Sequence, residues 1–505
     1  MKRWCTILTI LVFAALLYAA EPLASVSAQN PGHKTPANAA ASAKPVSRPM
    51  RLSATSEGTQ ARFGEAITLS GNYRLDECLK TLRWAVAEDP DFATAWSLLA
   101  YYATDSHEAS SALERAQKTV GKASPSEMLF VRWIVALKKN DQIAAISNLN
   151  DLVHSEPGDK YVLYLAGRWF LDQKNQQRAI PLFERVLVLD PQFTPVLNRL
   201  GYAYAAAGDL AQAEALMQRY VAAMPTDPNP EDSYGDILFK AGKYHEAKAH
   251  FEAALEKDAT FGPSQHELGD VFALLGNQDE AREAYRKSAL LAANPRRSLE
   301  YRSSVALSYV RQNQYLAADK EYSALAAEAK AEKFTDLESS FHEAMALYQL
   351  DDLAAMKHLD NAEEAIRGDV ELALLTRDEH MAVIRRWRGV RSLHEGNPAM
   401  AEVCLRVMQE KYESTENEFI GDQLHALRGA LLAEQRKYKD AIGELQQVTD
   451  DPFSLELLAK AKRESGDAPG ADATLQQLLA IHASTIDSVL VVEPARAKLS
   501  AMNTK

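Results

Sequence analysis

A chain of 505 residues with 47% hydrophobic residues is long enough to bury a large core, and length alone suggests about three or four domains. Its net charge of −13 argues against general nucleic-acid binding, which needs a positive surface to meet phosphate. Only Cys78 and Cys404 lie beyond residue 28, too few and too far apart for a disulfide framework, and both read as small buried hydrophobes.

Lys2 and Arg3 precede an apolar run from Ile7 to Ala20, and Val26-Ser27-Ala28 offers small residues for cleavage before Gln29. Residues 1–28 therefore read as a secretory signal, and the chain as exported, periplasmic or secreted. The run falls short of the ~20 residues of a spanning helix, so an uncleaved N-terminal membrane anchor is the lesser alternative. Cys5 precedes the run and is badly placed for lipidation. Residues 29–58 are rich in Pro, Ala, Ser and Lys, and are expected to form an extended linker without a core. Residues 1–28 carry +1 and residues 29–56 carry +4, leaving −18 on the rest, a charge that suits the solubility of a long exposed body. No Asn-x-Ser/Thr sequon occurs, which fits a bacterial envelope.

From about residue 60 the pattern becomes helix, tight turn, helix. A register of small residues runs through Cys78, Ala112, Ala145, Ala179, Ala213, Ala247, Ala281, Ala318, Ala355, Ala401, Ala441 and Ala471. Each step from Ala145 to Ala281 is 34 residues, the mark of one supersecondary unit copied and stacked. Turn pairs such as Gly71-Asn72, Gly208-Asp209, Gly242-Lys243, Gly276-Asn277, Gly396-Asn397 and Gly466-Asp467 fall just before the register residue, where a helix pair must reverse. Pro90, Pro157, Pro191 and Pro225 close several units. Between Ala355 and Ala401 the spacing stretches to 46, so one unit there is elongated or irregular.

The segment Leu200-Gly201-Tyr202-Ala203-Tyr204, then Gly208-Asp209-Leu210-Ala211-Gln212-Ala213, Met217 and Pro225, resembles the tetratricopeptide repeat family almost position by position. Tyr234-Gly235 with Ala247 and Phe251, Leu268-Gly269 with Ala281 and Tyr285, and Trp96, Leu99 and Ala100 continue the resemblance. It implies an all-α helix-turn-helix solenoid, a right-handed superhelix of about twelve repeats over residues 59–485, most regular over 93–295 and irregular over 355–401. Residues 486–505 suit a C-terminal capping segment, with the β-branched run Val489–Val492 followed by Pro494, which could open a helix.

Catalytic spacing is missing. His-Glu pairs occur at His107, His266, His342 and His394, but none has the second His of a zinc helix site. There is no Cys-x-x-Cys, phosphate loop or Gly-x-Ser-x-Gly. The expectation is no enzyme, no metal and no cofactor. The resemblance implies that first helices of successive repeats line a concave groove that binds protein or peptide partners. On that stripe fall Tyr161, Tyr164 and Arg168, then Asn198 and Tyr202, then Asp232, Asp236 and Phe239, then His266 and Asp270. Within each helix these are three, four or seven apart and share a face. The competing reading gives the aromatics to packing between helices. The Lys and Asn pattern that clamps chaperone C-termini in some members is not reproduced.

A second candidate is basic: Arg385, Arg388 and Arg391 around Trp387 could hold an anion such as a phosphate or acidic sugar. Against it stands salt bridging to Glu363, Glu364 or Asp378, the favoured reading. The sequence thus reads as a non-catalytic interaction scaffold of the cell envelope, with peripheral envelope association allowed. Two alternatives remain: an accessory of envelope assembly or exopolysaccharide export, and an enzyme with an unrecognised site in residues 340–400.

Overall fold

The computed structural model describes residues 48–103, 105–139, 141–370, 372–448 and 450–503. The expected signal, residues 1–28, and most of the expected linker lie outside them. The described residues form α-helices, one short 3-10 turn and no strand. The chain divides into two compact units, residues to Ile237 and residues from Leu238.

Unit 1 begins with α1 (Glu57–Gly71), α2 (Leu75–Glu88), α3 (Ala93–Tyr102) and α4 (Ser106–Thr119). It continues through α5 (Pro125–Lys138), α6 (Gln142–Ser155), α7 (Lys160–Asp172), α8 (Gln176–Leu189), α9 (Thr194–Ala206) and α10 (Leu210–Ala223). The division between units falls within α11 (Asn229–Lys240). Unit 2 holds α12 (Tyr244–Lys257), α13 (Gly262–Leu274), α14 (Gln278–Leu290), α15 (Pro295–Arg311), α16 (Tyr315–Ala331), α17 (Thr335–Tyr348) and α18 (Asp352–Gly368). After them come α19 (Leu374–His394), α20 (Pro398–Thr415), α21 (Glu418–Glu434), α22 (Tyr438–Leu445), α23 (Pro452–Glu464), α24 (Ala468–Ala480) and α25 (Ile486–Asn503).

The register residues sit on every second helix from α2 to α24, and each is at most 1% exposed. A small side chain there lets the paired helix approach, so its neighbour on the first helix is often glycine. The close approach is visible at Gly269, where an added Cβ would lie 2.5 Å from the Tyr285 ring.

Most of the described hairpin turns follow one rule. The residue five before the register position is left-handed at Gly208, Gly242, Gly276, Gly396 and Gly466, and equally at Tyr73, Lys174, Asn313 and Arg436. In the first turn Gly71 closes α1, and Tyr73 takes the left-handed position at φ 62°. A side chain there carries steric strain that glycine avoids. Arg436→Gly, at an exposed turn with φ 59°, is therefore expected to raise stability by about 0.5–1 kcal/mol in a chemical denaturation series. A lower midpoint would show that the strain is absent.

The stretched spacing between Ala355 and Ala401 takes the form of an elongated unit: the extra residues lengthen α18 to 17 and α19 to 21 residues. The expectation that Pro494 opens a helix is corrected: the tail is a single helix, Ile486–Asn503, with Pro494 inside it. It does not only cover the last pair. Val489, Val491 and Val492 share one apolar cluster with Leu299, Val310, Phe341 and Leu455, from α15, α17 and α23. Arg311 ties it in place by donating to Glu493 and to the Ala483 carbonyl, and Arg496 donates to the carbonyls of Leu479 (2.8 Å) and Ile481 (2.7 Å).

Candidate functional site

In unit 1 the stripe expected to line a groove is occupied by the chain itself. Tyr164 is fully buried, edge-on to Phe193 at 5.4 Å, with burial pushing its phenol up to about 12. The half-buried Tyr161 faces α1, where a Cβ on Gly64 would come within 2.5 Å of its hydroxyl. Asn198 is fully buried: its Nδ2 donates to Ser233 Oγ at 2.9 Å, and its Oδ1 accepts from Tyr73 Oη at 3.4 Å. Thr194 Oγ1 donates to Asn72 Oδ1 at 3.2 Å, and Arg199 lies over the Tyr73 ring. Helix α1 and the turn after it thus sit on α7 and α9.

The other stripe residues of unit 1 are also engaged. Arg168 donates to Tyr102 Oη at 2.8 Å and reaches toward Asp172. Tyr202 is raised well above its ordinary pKa by burial, with Asp236 and Asp232 beside it and Ser233 as a hydrogen-bond partner. The stripe's aromatics Tyr161 and Tyr164 thus pack against α1.

In unit 2, Phe239 is buried and stacks on His482. His482 bridges Tyr244 Oη (2.9 Å) and the Lys240 carbonyl (2.8 Å). His266 stacks on Tyr301 at 4.6 Å with Nε2 against Ser304 Oγ at 3.0 Å, and burial lowers its pKa. Asp270 accepts from Tyr285 Oη at 2.6 Å. His266, Glu267 and Asp270 bring ligand atoms within 4.8 Å of one another, but these partners already engage the imidazole and Asp270.

Two arginines of the basic candidate are held in ion pairs. Arg388 donates to Glu363 Oε2 (2.5 Å) and Asp360 Oδ1 (2.7 Å). Arg391 donates to Asp352 Oδ1 (2.9 Å) and the carbonyls of Ala346 and Leu347. Arg385 is half-buried near Glu363, and burial lowers its pKa. Trp387 is 9% exposed and packs edge-on to Phe453 at 4.8 Å, so it offers no open indole face to an anion. Arg388 thus pairs with Glu363, one of the acids that the salt-bridge reading named.

Sequence reasoning missed a third feature. Residues 48–55, assigned to the linker, lie extended along unit 1 with Met50 and Ala54 buried. Their main chain meets Asp89, Glu127 and Asp159, carboxylates only 4%, 0% and 4% exposed. A signal existed for one of them: Ser124-Pro-Ser-Glu127 is a capping box, and the structure shows it closed at the start of α5. Among the described residues no helix is long and apolar enough to cross a membrane.

Models of the tetratricopeptide repeat match residues 134–192, 170–231 and 235–297. Among solved structures the chain is similar to yeast Tom70, at 13% identity over 87% of this chain and 99% of that one, with a TM-score of 0.43. It is similar also to a tetratricopeptide repeat protein of Parabacteroides merdae, at 15% identity over 50% and 99%, with a TM-score of 0.35. A third is PilW, described as a type IV pilus biogenesis factor, at 18% identity over 41% and 92%, with a TM-score of 0.33. The fold of this chain rests on its own paired helices and register.

Proposed function

We propose, from the premise that this chain is a tetratricopeptide repeat protein, that it is a non-catalytic scaffold of the cell envelope that holds segments of other proteins. Repeats of this kind generally mediate protein–protein contact. One observation carries the reading here: unit 1 already holds a stretch of polypeptide, residues 48–73 of its own chain, on preformed helical surfaces. A surface built in advance spares the ordering cost that a flexible binder meets on association. The envelope location rests on the signal read in residues 1–28.

The test is affinity capture from envelope extract with the full chain, followed by crosslinking and mass spectrometry. The expected result is a defined partner protein crosslinked to residues of the repeats, on a chain whose mature N-terminus is Gln29. Retention of no protein beyond that held by an unrelated helical-repeat control sinks the scaffold reading. A chain recovered from the cytosol with Met1 intact sinks the envelope location.

A further inference from the structure

Residues 48–55 are held in an unusual way. Arg48 N–H donates to the Gly158 carbonyl at 3.0 Å, and Met50 N–H to Asp159 Oδ2 at 2.5 Å. Ser53 N–H donates to Glu127 Oε2 at 3.0 Å, and Thr55 N–H to Asp89 Oδ2 at 2.7 Å. Ser124 Oγ returns a bond to the Arg51 carbonyl at 2.9 Å. The recognised groups are mostly main chain, so the contact asks little of sequence. Of the side chains only Met50 and Ala54 are buried, while Arg48 and Arg51 are exposed.

The three carboxylates come from successive helix pairs. Asp159 caps α7 through the Tyr161 and Val162 N–H groups (2.7 and 2.8 Å), and Glu127 accepts also from Ser124 N–H and Thr94 Oγ1 (both 2.9 Å). Asp89 accepts also from Asp91 N–H at 3.2 Å. Each is thus held also by bonds within the helix framework, besides those it accepts from the segment. Buried carboxylates of one sign favour a cationic segment, and residues 29–56 carry four basic residues and no acid.

The segment does not fill its site. Beneath Pro49–Leu52 lies a cavity of about 280 Å³ walled mainly by Phe63, Ile67, Phe130, Val162 and Leu165, with Glu57, Gln60 and Asp159 also in its lining. A space of that size lined mainly by apolar groups forfeits dispersion contacts until a larger side chain enters.

We propose that residues Arg48–Thr55 are a placeholder on an extended-peptide site of unit 1. The site's ligand is an unstructured cationic segment of a partner protein, bound by its main-chain N–H groups and anchored by a bulky aromatic side chain in the cavity. This deepens the scaffold reading by naming the site and the partner's chemistry. The tether makes the placeholder an internal competitor at an effective concentration on the order of millimolar.

The experiment uses the full chain and its Ser53→Pro/Thr55→Pro variant, which lacks two of the N–H donors but keeps every carboxylate. The probe is a labelled synthetic peptide of residues 46–56. Trypsin is expected to cut at Arg51 much faster in the variant, and the variant to bind the peptide at least about tenfold tighter than the parent. A peptide carrying Leu52→Trp is expected to bind about tenfold tighter still, the scale of one well-filled apolar pocket. The peptide N-methylated at Met50, Ser53 and Thr55 is expected not to bind.

Arg51 staying protected in the variant would overturn the proposal. So would release without peptide binding, equal binding to parent and variant, or binding of the N-methylated peptide. No gain from Leu52→Trp would overturn the aromatic anchor. Because both proline sites lie outside the helices, the helical circular dichroism of the variant should match the parent, and Met50→Asp provides a second route to release. Failure of protein capture from extract leaves these peptide results readable, so the two readings fail separately.

Discussion

Arg386→Ala is expected to destabilise unit 2 by about 3–5 kcal/mol, the cost of leaving one partner of a buried ion pair alone. Arg386 is 5% exposed on α19. Its Nη2 donates to Asp451 Oδ2 at 2.5 Å, and its Nη1 to Gln423 Oε1 at 3.1 Å. The guanidinium also lies 4.7 Å from the centroid of Trp387, which packs on Phe453. Asp451 caps α23 by accepting from Ser454 N–H at 2.7 Å. Burial works to raise the Asp451 carboxyl, and Arg386 together with the hydrogen bonds from Ser454 outweighs it, holding the group below its ordinary value. Without Arg386 the carboxylate stays buried with only its capping bonds. Hydrogen exchange of residues 452–464 under native conditions should report the loss first, and urea denaturation its size. The double variant Arg386→Met with Asp451→Asn should recover part of the loss, because no uncompensated charge remains. A loss under about 1 kcal/mol for Arg386→Ala, within the range of exposed pairs, would mean the pair is solvated.

What the sequence made legible was local. The small-residue register marks every second helix because the repeat writes the same packing contact at a fixed spacing. Turns were read where glycine occupies the left-handed position, and were less clear at Lys174 and Asn313, where ordinary side chains take it. The stripe of Tyr161, Tyr164 and Asn198 was found by helical spacing, but its occupant was not, since Tyr73 and Asn198 stand 125 residues apart. Periodicity carries no information on such a contact. Composition misled at residues 48–55: a segment poor in apolar residues can still be fixed when buried acceptors meet its main chain. The arginine cluster was readable because its acids, Asp360 and Glu363, lie on the preceding helix. The burial of Trp387 was not, because it depends on Phe453, far along the chain.

Asp487, in the first turn of α25, makes a contribution to stability that should fall as pH rises from about 4 to about 7. Its Oδ1 is out of contact with solvent and has no hydrogen-bond partner, although the residue as a whole is part-exposed. Burial pushes its carboxyl up to about 7, Asp451 and Glu343 add to the rise, and Arg386 opposes it. Those three come from the start of α23, α17 and α19 respectively. Unfolded, the same carboxyl titrates near ~4. Between these values the unfolded chain releases a proton that the folded chain retains, so stability is lost as pH rises through that window and is level above it. Asp487→Asn removes the titration. Its advantage over the parent should grow from nothing at pH 4 to on the order of 2–4 kcal/mol at pH 8. Asp336 and Asp451, both held below their ordinary values, shift stability at lower pH, and His266, His342, His358 and His482, also held low by burial, shift it the opposite way within the window, all in both proteins alike. Denaturation at pH 4, 6 and 8, with hydrogen exchange read over residues 486–499, separates the two proteins. Parallel profiles from pH 4 to 8 would place the Asp487 carboxylate in water. A gap that opens with pH shows that the helix filling unit 2 is held most firmly when this acid keeps its proton. Arg386→Ala should then widen that gap, because the one cation favouring the ionised form of Asp487 is gone.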